Sequence, residues 1–155
     1  MIIRQAQLGD LEKIVQLIAP FMNDFIVEDD KQPMNEGQRH FSRSVIQAYL
    51  EDAGIHYFVA EKQIQQQHCI VGIMAYRAPR HILHFFVDAT WQGQGVGTQL
   101  WQFVQTHMGL EKGQCVTVNS SCFAEKIYKK MGFSTVSDVQ EAQGLRFIQM
   151  QKQIK

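Results

Sequence analysis

Gln92-Gly93-Gln94-Gly95-Val96-Gly97-Thr98 is where this chain's residue types and spacing first suggest chemistry, because glycine recurs there at every second position. Bare backbone can approach a ligand closely, and from Val96 the apolar period becomes helical through Leu100, Phe103, Val104 and Met108. The first turn of a helix leaves N–H groups unpaired and carries the positive end of the dipole, so the segment reads as a cradle for an anion. A tight strand-to-helix turn would use the same glycines. Two phosphate loops fail on spacing. A Walker loop needs Gly-Lys before Ser or Thr, whereas Thr98 follows Gly97 directly. A dinucleotide fingerprint needs a third glycine where Thr98 stands, and an acidic residue about 20 positions on that this chain lacks.

The flanking sequence supplies the elements that would hold this loop. RHILHFFVD (80–88) reads as the strand before it, with Ile82, His84 and Phe86 alternating toward one face. CVTVN (115–119) reads as a later strand, and CFAEKIYKKMGF (122–133) as a helix stopped by Gly132. Residues 2–7 form a short strand. Gly9-Asp10 then cap a helix carrying Leu11, Ile14, Val15, Ile18 and Met22. A second helix, from about Asn35 to Leu50, carries Phe41, Val45, Ala48 and Tyr49 beyond the Pro33 break. HYFVAEK (56–62) and HCIVGIMAY (68–76) flank a glutamine-rich turn and form an antiparallel hairpin, while STVSDV and LRFIQMQ close the chain as a final hairpin. The sum is a mixed α/β fold without internal repeats.

Composition bounds the setting. At 155 residues, 45% hydrophobic and 19% charged, the chain is expected to form one domain over residues 1–155. A net charge of zero and the absence of a Lys/Arg stripe weigh against a nucleic-acid partner. Cys69, Cys115 and Cys122 are odd in number and lack paired spacing, so neither a disulfide framework nor a zinc site is expected, and no metal. The amino terminus has no apolar leader and no run approaches the roughly 18 residues of a membrane span, so a cytoplasmic location is expected. Edge strands of small domains often pair between subunits, which leaves a homodimer open.

Gln92-x-x-Gly95-x-Gly97 between a strand and an amphipathic helix resembles the acetyl-CoA-binding loop of the GNAT superfamily of N-acetyltransferases, whose signature is Arg/Gln-x-x-Gly-x-Gly/Ala after the fourth strand. Ala124-x3-Tyr128-x3-Gly132-Phe133 looks like that family's later helix, in which the tyrosine lies beside the CoA sulfur. The order of elements agrees from residue 2 to residue 151. This resemblance implies a GNAT fold, with a central, mostly antiparallel sheet in which two parallel strands, here 80–88 and 115–119, splay apart between flanking helices. It also implies acetyl transfer from acetyl-CoA to a primary amine of a small molecule or peptide, by direct attack in a ternary complex. Amides of Gln94, Gly95, Val96, Gly97 and Thr98 would hold the pyrophosphate, and backbone of Phe86 and Val87 would pair with pantetheine. Gln92, Gly93 and Asn119 are counted with the cofactor-binding residues. Where many members carry asparagine, three residues before the helix alanine, this chain has Ser121.

Tyr128 is then the proton donor to the departing thiolate, although its period with Ala124, Ile127 and Met131 also fits a packed aromatic. The base that takes the amine's proton is open among His84, Glu28 and an ordered water. His84 equally suits a hydrogen-bonded core position. Glu28 belongs to the acidic link Asp24, Glu28, Asp29 and Asp30, which reads as a solvated turn on charge alone and borders the acceptor site in GNAT-like proteins. An alternative is a non-catalytic acyl-CoA-binding or protein-interaction module on the same fold. Tyr128 argues against it, since a pure binder needs no proton donor at the sulfur.

Overall fold

The structure, a computed structural model, describes residues 1–24 and 39–155. Its frame is set by β2 (Ile55–Ile64) and β3 (Gln67–Arg77), which pair antiparallel over nearly their whole length. The turn between them is only Gln65-Gln66, both at positive φ, as a two-residue hairpin matching the strand twist requires. On one side β1 (Ile2–Gln5) pairs with β2, and on the other β4 (His81–Val87) pairs with β3. The sheet continues through β5 (Cys115–Ser120), β8 (Leu145–Gln153) and β6 (Ser134–Thr135), giving the order β1-β2-β3-β4-β5-β8-β6. A short β7 (Gln140–Ala142) pairs with β8 off this path, making eight strands among the described residues. Every pairing is antiparallel except β4 with β5.

Side chains alternate across these strands into two apolar layers. Phe58 and Ala60 of β2 join Val71, Met74 and Tyr76 of β3 against α3 (Val96–Met108), which contributes Val96, Leu100, Trp101 and Val104. Tyr57, Val59, Ile73 and Ala75 face the other way, against Leu11, Ile14, Leu17 and Ile18 of α1 (Leu11–Ile18) and Ile46 of α2 (Arg43–Glu51). The result is the mixed α/β, mostly antiparallel fold expected from the sequence.

Several local expectations change. The first turn begins as a 3-10 segment at Leu8–Asp10. Asp10 holds the N-cap position of α1 but makes no side-chain cap bond to it; its carboxylate accepts the Gln7 N–H at 2.7 Å and two guanidinium N–H groups of Arg4 at 2.9 Å. That pairing holds the Asp10 carboxyl below its ordinary range. Of the helix expected over 35–50, Arg43–Glu51 is helical, and residues 25–38 lie outside the described residues. The final hairpin turns instead at Gln143-Gly144, both at positive φ. Between β6 and β7 the Val136 N–H still donates to the Gln149 carbonyl at 2.9 Å, and the Ser137 hydroxyl accepts the Gln149 N–H at 3.0 Å in place of a backbone carbonyl.

β4 also departs from simple alternation. Ala75 is opposite His84 while Tyr76 is opposite Ile82, so Leu83 is an extra residue that bulges the strand. Ile82, His84 and Phe86 are all buried, as their alternation suggested. The bulge nevertheless sends Ile82 to the α3 layer and Phe86 to the α1/α2 layer.

Helix α3 lies close on β3 because position 72 has no side chain. A Cβ on Gly72 would come within 2.9 Å of both Leu100 Cδ1 and Val96 Cγ1, tighter than packed carbons tolerate. Gly72→Ala is expected to cost about 1–3 kcal/mol through this overpacking and to lift the start of α3. A lowered midpoint in urea at unchanged slope would show it, and an unchanged midpoint would mean that the helix sits more loosely.

Candidate functional site

Parallel pairing between β4 and β5 extends over two register pairs, His81 with Thr117 and Ile82 with Val118. Beyond them the strands diverge. A cavity of about 790 Å³ opens at the divergence, lined by Leu83, Phe85, Phe86 and Val87 from β4 and by Val118 and Asn119 from β5. The loop Gln92–Thr98 borders it, as do Trp101 of α3 and Tyr128 of α4 (Glu125–Lys130).

The glycine loop has the backbone that its sequence demands. Gly93 and Gly95 have φ of +75° and +87°, a region that costs a residue with a Cβ about 1–2 kcal/mol. Gly97 lies inside α3 and is close-packed for a different reason, since a Cβ there would stand 3.3 Å from Phe85 Cζ and press on that ring. Gly95 is the N-cap of α3 and its carbonyl accepts the Gln99 N–H at 3.0 Å. The amides of Val96, Gly97 and Thr98 therefore precede the helical ladder. Gln92, Gly93, Gly95, Gly97 and Thr98 line the cavity. Val96 is buried beneath them in the core, and the Gln94 side chain turns back to the Thr90 carbonyl at 3.0 Å. Gln92 does more than line the cavity, because its side-chain amide donates to the Val87 carbonyl at 3.0 Å and ties the loop to the end of β4.

Tyr128 reaches the cavity from the opposite wall. Its ring packs edge-on to Phe85, with centroids 6.1 Å apart, and to Phe133 at 5.4 Å, while Phe133 in turn contacts Trp101. Short α4 is pinned at its end, where Gly132 turns at positive φ and Lys152 of β8 donates to the Met131 carbonyl at 2.6 Å. The helix is shorter than the 122–133 expected, since Ser121 instead organises the preceding turn by accepting the Ala124 N–H at 3.1 Å. Among the described residues the Tyr128 hydroxyl has no hydrogen-bond partner, and burial pushes the phenol well above its ordinary value. It is thus held protonated, facing the cavity. That upward direction is opposite to the lowering that would ease proton donation from a free phenol.

His84, a candidate base by sequence, is placed elsewhere. It is 4% exposed and is not among the residues lining the cavity. Its Nδ1 pairs with the Tyr57 hydroxyl at 2.8 Å, and the rings of Phe41, Tyr49 and Phe86 surround it. Burial lowers its pKa to about 4, which leaves it a neutral core histidine. The physical reason is its enclosure, since the Tyr57 hydroxyl and the rings of Phe41, Tyr49 and Phe86 close around it. Glu28, the other candidate base, lies outside the described residues. Asp24, grouped by sequence with solvated acids, lines the cavity together with Phe21. Its signal was a helical period running on past Ile18, which would have placed it beside Phe21. Among the described residues no three His, Cys, Asp or Glu side chains are grouped so as to hold a metal ion, and no helix is long and apolar enough to cross a membrane.

Sequence comparison matches residues 29–154 to the acetyltransferase (GNAT) domain. The chain belongs to the GNAT acetyltransferase family. No curated protein matches it significantly in sequence. Among solved structures, it is similar to a GCN5-related N-acetyltransferase from Rhodopseudomonas palustris, at 21% identity and a TM-score of 0.73, covering 99% of this chain and 95% of that one. It is also similar to the PaiA N-acetyltransferase of Thermoplasma acidophilum in complex with coenzyme A, at 15% identity and TM-score 0.68, with 98% of each chain covered. An aminoglycoside 6′-N-acetyltransferase complexed with coenzyme A matches at 12% identity and TM-score 0.68, over 100% of this chain and 98% of that one. At these identities the likeness establishes the fold.

His84 gives this GNAT chain a pH-dependent stability. Its folded pKa of about 4 lies below the ordinary 6.5, so between those values the unfolded chain binds a proton that the folded one does not. Stability from this group is fully present above pH 6.5 and is lost as pH falls toward 4, at up to about 1.4 kcal/mol per unit. Urea unfolding between pH 4 and 7 is expected to show that slope and to flatten in His84→Gln. An equal slope in the variant would assign the acid sensitivity to other groups.

Proposed function

We propose that this protein transfers the acetyl group of acetyl-CoA to a primary amine by direct attack in a ternary complex. The observation that carries the reading is the single cavity that joins the glycine loop, the diverging ends of β4 and β5, and the unpartnered hydroxyl of Tyr128. In this reading the amides of Gln94, Gly95, Val96, Gly97 and Thr98 receive the pyrophosphate at the positive end of α3. The pantetheine arm runs as an added strand beside Phe86 and Val87, where the β4–β5 divergence leaves room. Asn119 flanks the arm from β5. The Gln92 bond to the Val87 carbonyl marks where that pairing stops or the glutamine must yield.

Proton accounting identifies the difficult steps. A lysine-type amine of pKa ~10.4 costs about 4.6 kcal/mol to deprotonate at pH 7, whereas an α-amine near ~8 costs about 1.4 kcal/mol. At the other end, a phenol of pKa ~10 protonating a thiolate of pKa ~8.5 is uphill by about 2 kcal/mol. Burial raises Tyr128 further, but it raises the proton affinity of a thiolate beside it too, because both anions lose the same solvent. Tyr128 therefore gives its proton as the C–S bond breaks, and its oxygen takes up the proton that the acylated nitrogen must lose, so that no free tyrosinate stands before or after. A binding module on this fold would have no use for a buried phenol left unpaired at the cavity wall, which favours the catalytic reading.

The loop assignment is testable by melting. Acetyl-CoA at ~100 times its dissociation constant is expected to add about 2.7 kcal/mol, or about 5–10 °C in Tm for a chain of this size. Gly95→Glu should abolish the shift by placing a negative charge in the cradle, while Gly113→Glu, at a similar positive φ far from the loop, should retain it. A shift that persists in Gly95→Glu would move the cofactor elsewhere.

Tyr128→Phe keeps the ring and removes only the hydroxyl. Turnover should fall by ~10²–10³ with acetyl-CoA affinity little changed. The loss should shrink with an acyl donor whose leaving thiol has a lower pKa, since that thiolate departs without a proton. Near-normal kcat where chemistry limits the rate would leave Tyr128 a packed aromatic only.

A further inference from the structure

Alternation along β8 puts Ile148, Met150 and Lys152 on one face of the strand, followed by Ile154 just beyond its end. The three apolar residues pack into the α3 layer, so a half-buried lysine interrupts an otherwise apolar stripe. Lys152 is not among the residues lining the cavity, yet it touches two that are. Its ammonium donates to the Met131 carbonyl at 2.6 Å and stands 5.9 Å from the centroid of the Trp101 ring. Gly132 leaves the room for it, since a Cβ there would come within 3.1 Å of Lys152 Nζ.

These contacts close a ring. Tyr128 meets Phe133, Phe133 meets Trp101, Trp101 lies under Lys152, and Lys152 returns through the Met131 carbonyl to the helix that carries Tyr128. The last carbonyls of a helix lack donors of their own, and a cation there meets the negative end of the dipole. Helix α4 has only six residues, too few for its own ladder to hold it firmly. The Tyr128 carbonyl is bound locally, by the N–H groups of Met131 and Phe133 at 3.1 and 2.9 Å. The Met131 carbonyl, about one turn on, is instead held from the sheet. We propose that Lys152 is a positioning residue for Tyr128: by holding the Met131 carbonyl from β8 it sets the rotation of α4, and with it the place of the Tyr128 hydroxyl in the cavity. The proposal rests on the acetyl-transfer reading for its consequence in turnover, while the placement rests on these contacts alone.

Distance makes the effect steep. A proton passes to sulfur only from a donor within hydrogen-bond reach, and a misplacement of about 1 Å costs on the order of 10²-fold in rate. The glycine loop is anchored separately, by Gln92 on the Val87 carbonyl and by the Gln99 N–H on the Gly95 carbonyl, so cofactor affinity does not depend on Lys152. Methionine at 152 keeps most of the bulk over Trp101 and removes the charge and the donor. Arginine keeps both.

Two measurements on Lys152→Met and Lys152→Arg test the role. The first needs no turnover. With tyrosine rings labelled with carbon-13, the Tyr128 signal, assigned by its loss in Tyr128→Phe, should move in Lys152→Met and return in Lys152→Arg, while those of Tyr49, Tyr57 and Tyr76 stay in place. The second is turnover with acetyl-CoA over a panel of primary amines. There kcat should fall by ~10–100-fold in Lys152→Met at an acetyl-CoA KM changed by less than ~2-fold, and Lys152→Arg should recover most of it. In the Tyr128→Phe background Lys152→Met should cost less than ~2-fold, because no hydroxyl is left to place. Should Lys152→Met not fold, Lys152→Gln carries the same expectations. An unmoved Tyr128 signal, or equal losses of kcat with and without the hydroxyl, overturns the proposal. A signal that moves and returns as expected, in a chain that acetylates no amine of the panel, would instead overturn the acetyl-transfer reading and leave the positioning of Tyr128 standing.

Discussion

The interaction on which the rest of the structure depends is one that stops short: the β4–β5 ladder ends after Ile82 and Val118. A sheet split in its interior exposes backbone groups and apolar side chains on both edges, which folding does not tolerate without support from elsewhere. Here the support is bilateral. Helix α3 is clamped to β3 through the missing side chain of Gly72, and β5 is held by a full antiparallel register with β8, from Cys115–Gln153 to Ser120–Ile148. Each half of the sheet is thus braced on its outer side, and the gap can persist between them.

What faces the gap is largely apolar, and that decides its electrostatics. Tyr128 and Asp24 are both pushed toward their neutral forms by loss of water. The loop amides and the start of α3 are the opposing influence, since fixed backbone dipoles act more strongly where no water competes. A cavity with a positive backbone end and groups otherwise biased to neutrality suits a charged cofactor tail followed by chemistry in which charge appears and disappears. Phe123 and Ile127, apolar yet 75% and 53% exposed, line the same cavity near α4.

The aromatic contacts explain how a six-residue helix can hold a tyrosine in place. Alone, α4 is too short to be stable in water. Tyr128 is fixed from two sides, by Phe85 of β4 and by Phe133, whose ring also meets Trp101. The Lys152 ammonium, bound to the Met131 carbonyl and 5.9 Å above the Trp101 ring, couples the helix end to β8. Packing therefore supplies the rigidity that helix length does not. The same layer that orients Tyr128 also presses Phe85 against Gly97, so loop and tyrosine share a wall.

Alternation, helical period and glycine spacing are local properties of the chain, and they sufficed to identify β2 through β5, α1, α3 and the glycine turn at residues 92–98 that starts α3. The positive φ of Gly93 and Gly95 follows from the residue type alone, because only glycine takes it without strain. Which face a side chain joins is not local. The bulge at Leu83 arises from the register of β4 against β3, and it separates Ile82 from Phe86 although their spacing had suggested a shared face, while His84 is shut away from the cavity by Tyr57, Phe41 and Tyr49. Asp24 shows the converse: its sequence neighbours are acids that read as solvated, yet the 3-10 continuation of α1 brings it to the cavity beside Phe21 and Phe86. Sequence by itself determined which backbone conformations were available and which residues were apolar. Tertiary structure decided which polar groups share a cavity, because that depends on strand register and on where a sheet parts, and both are settled by contacts between segments far apart in the chain.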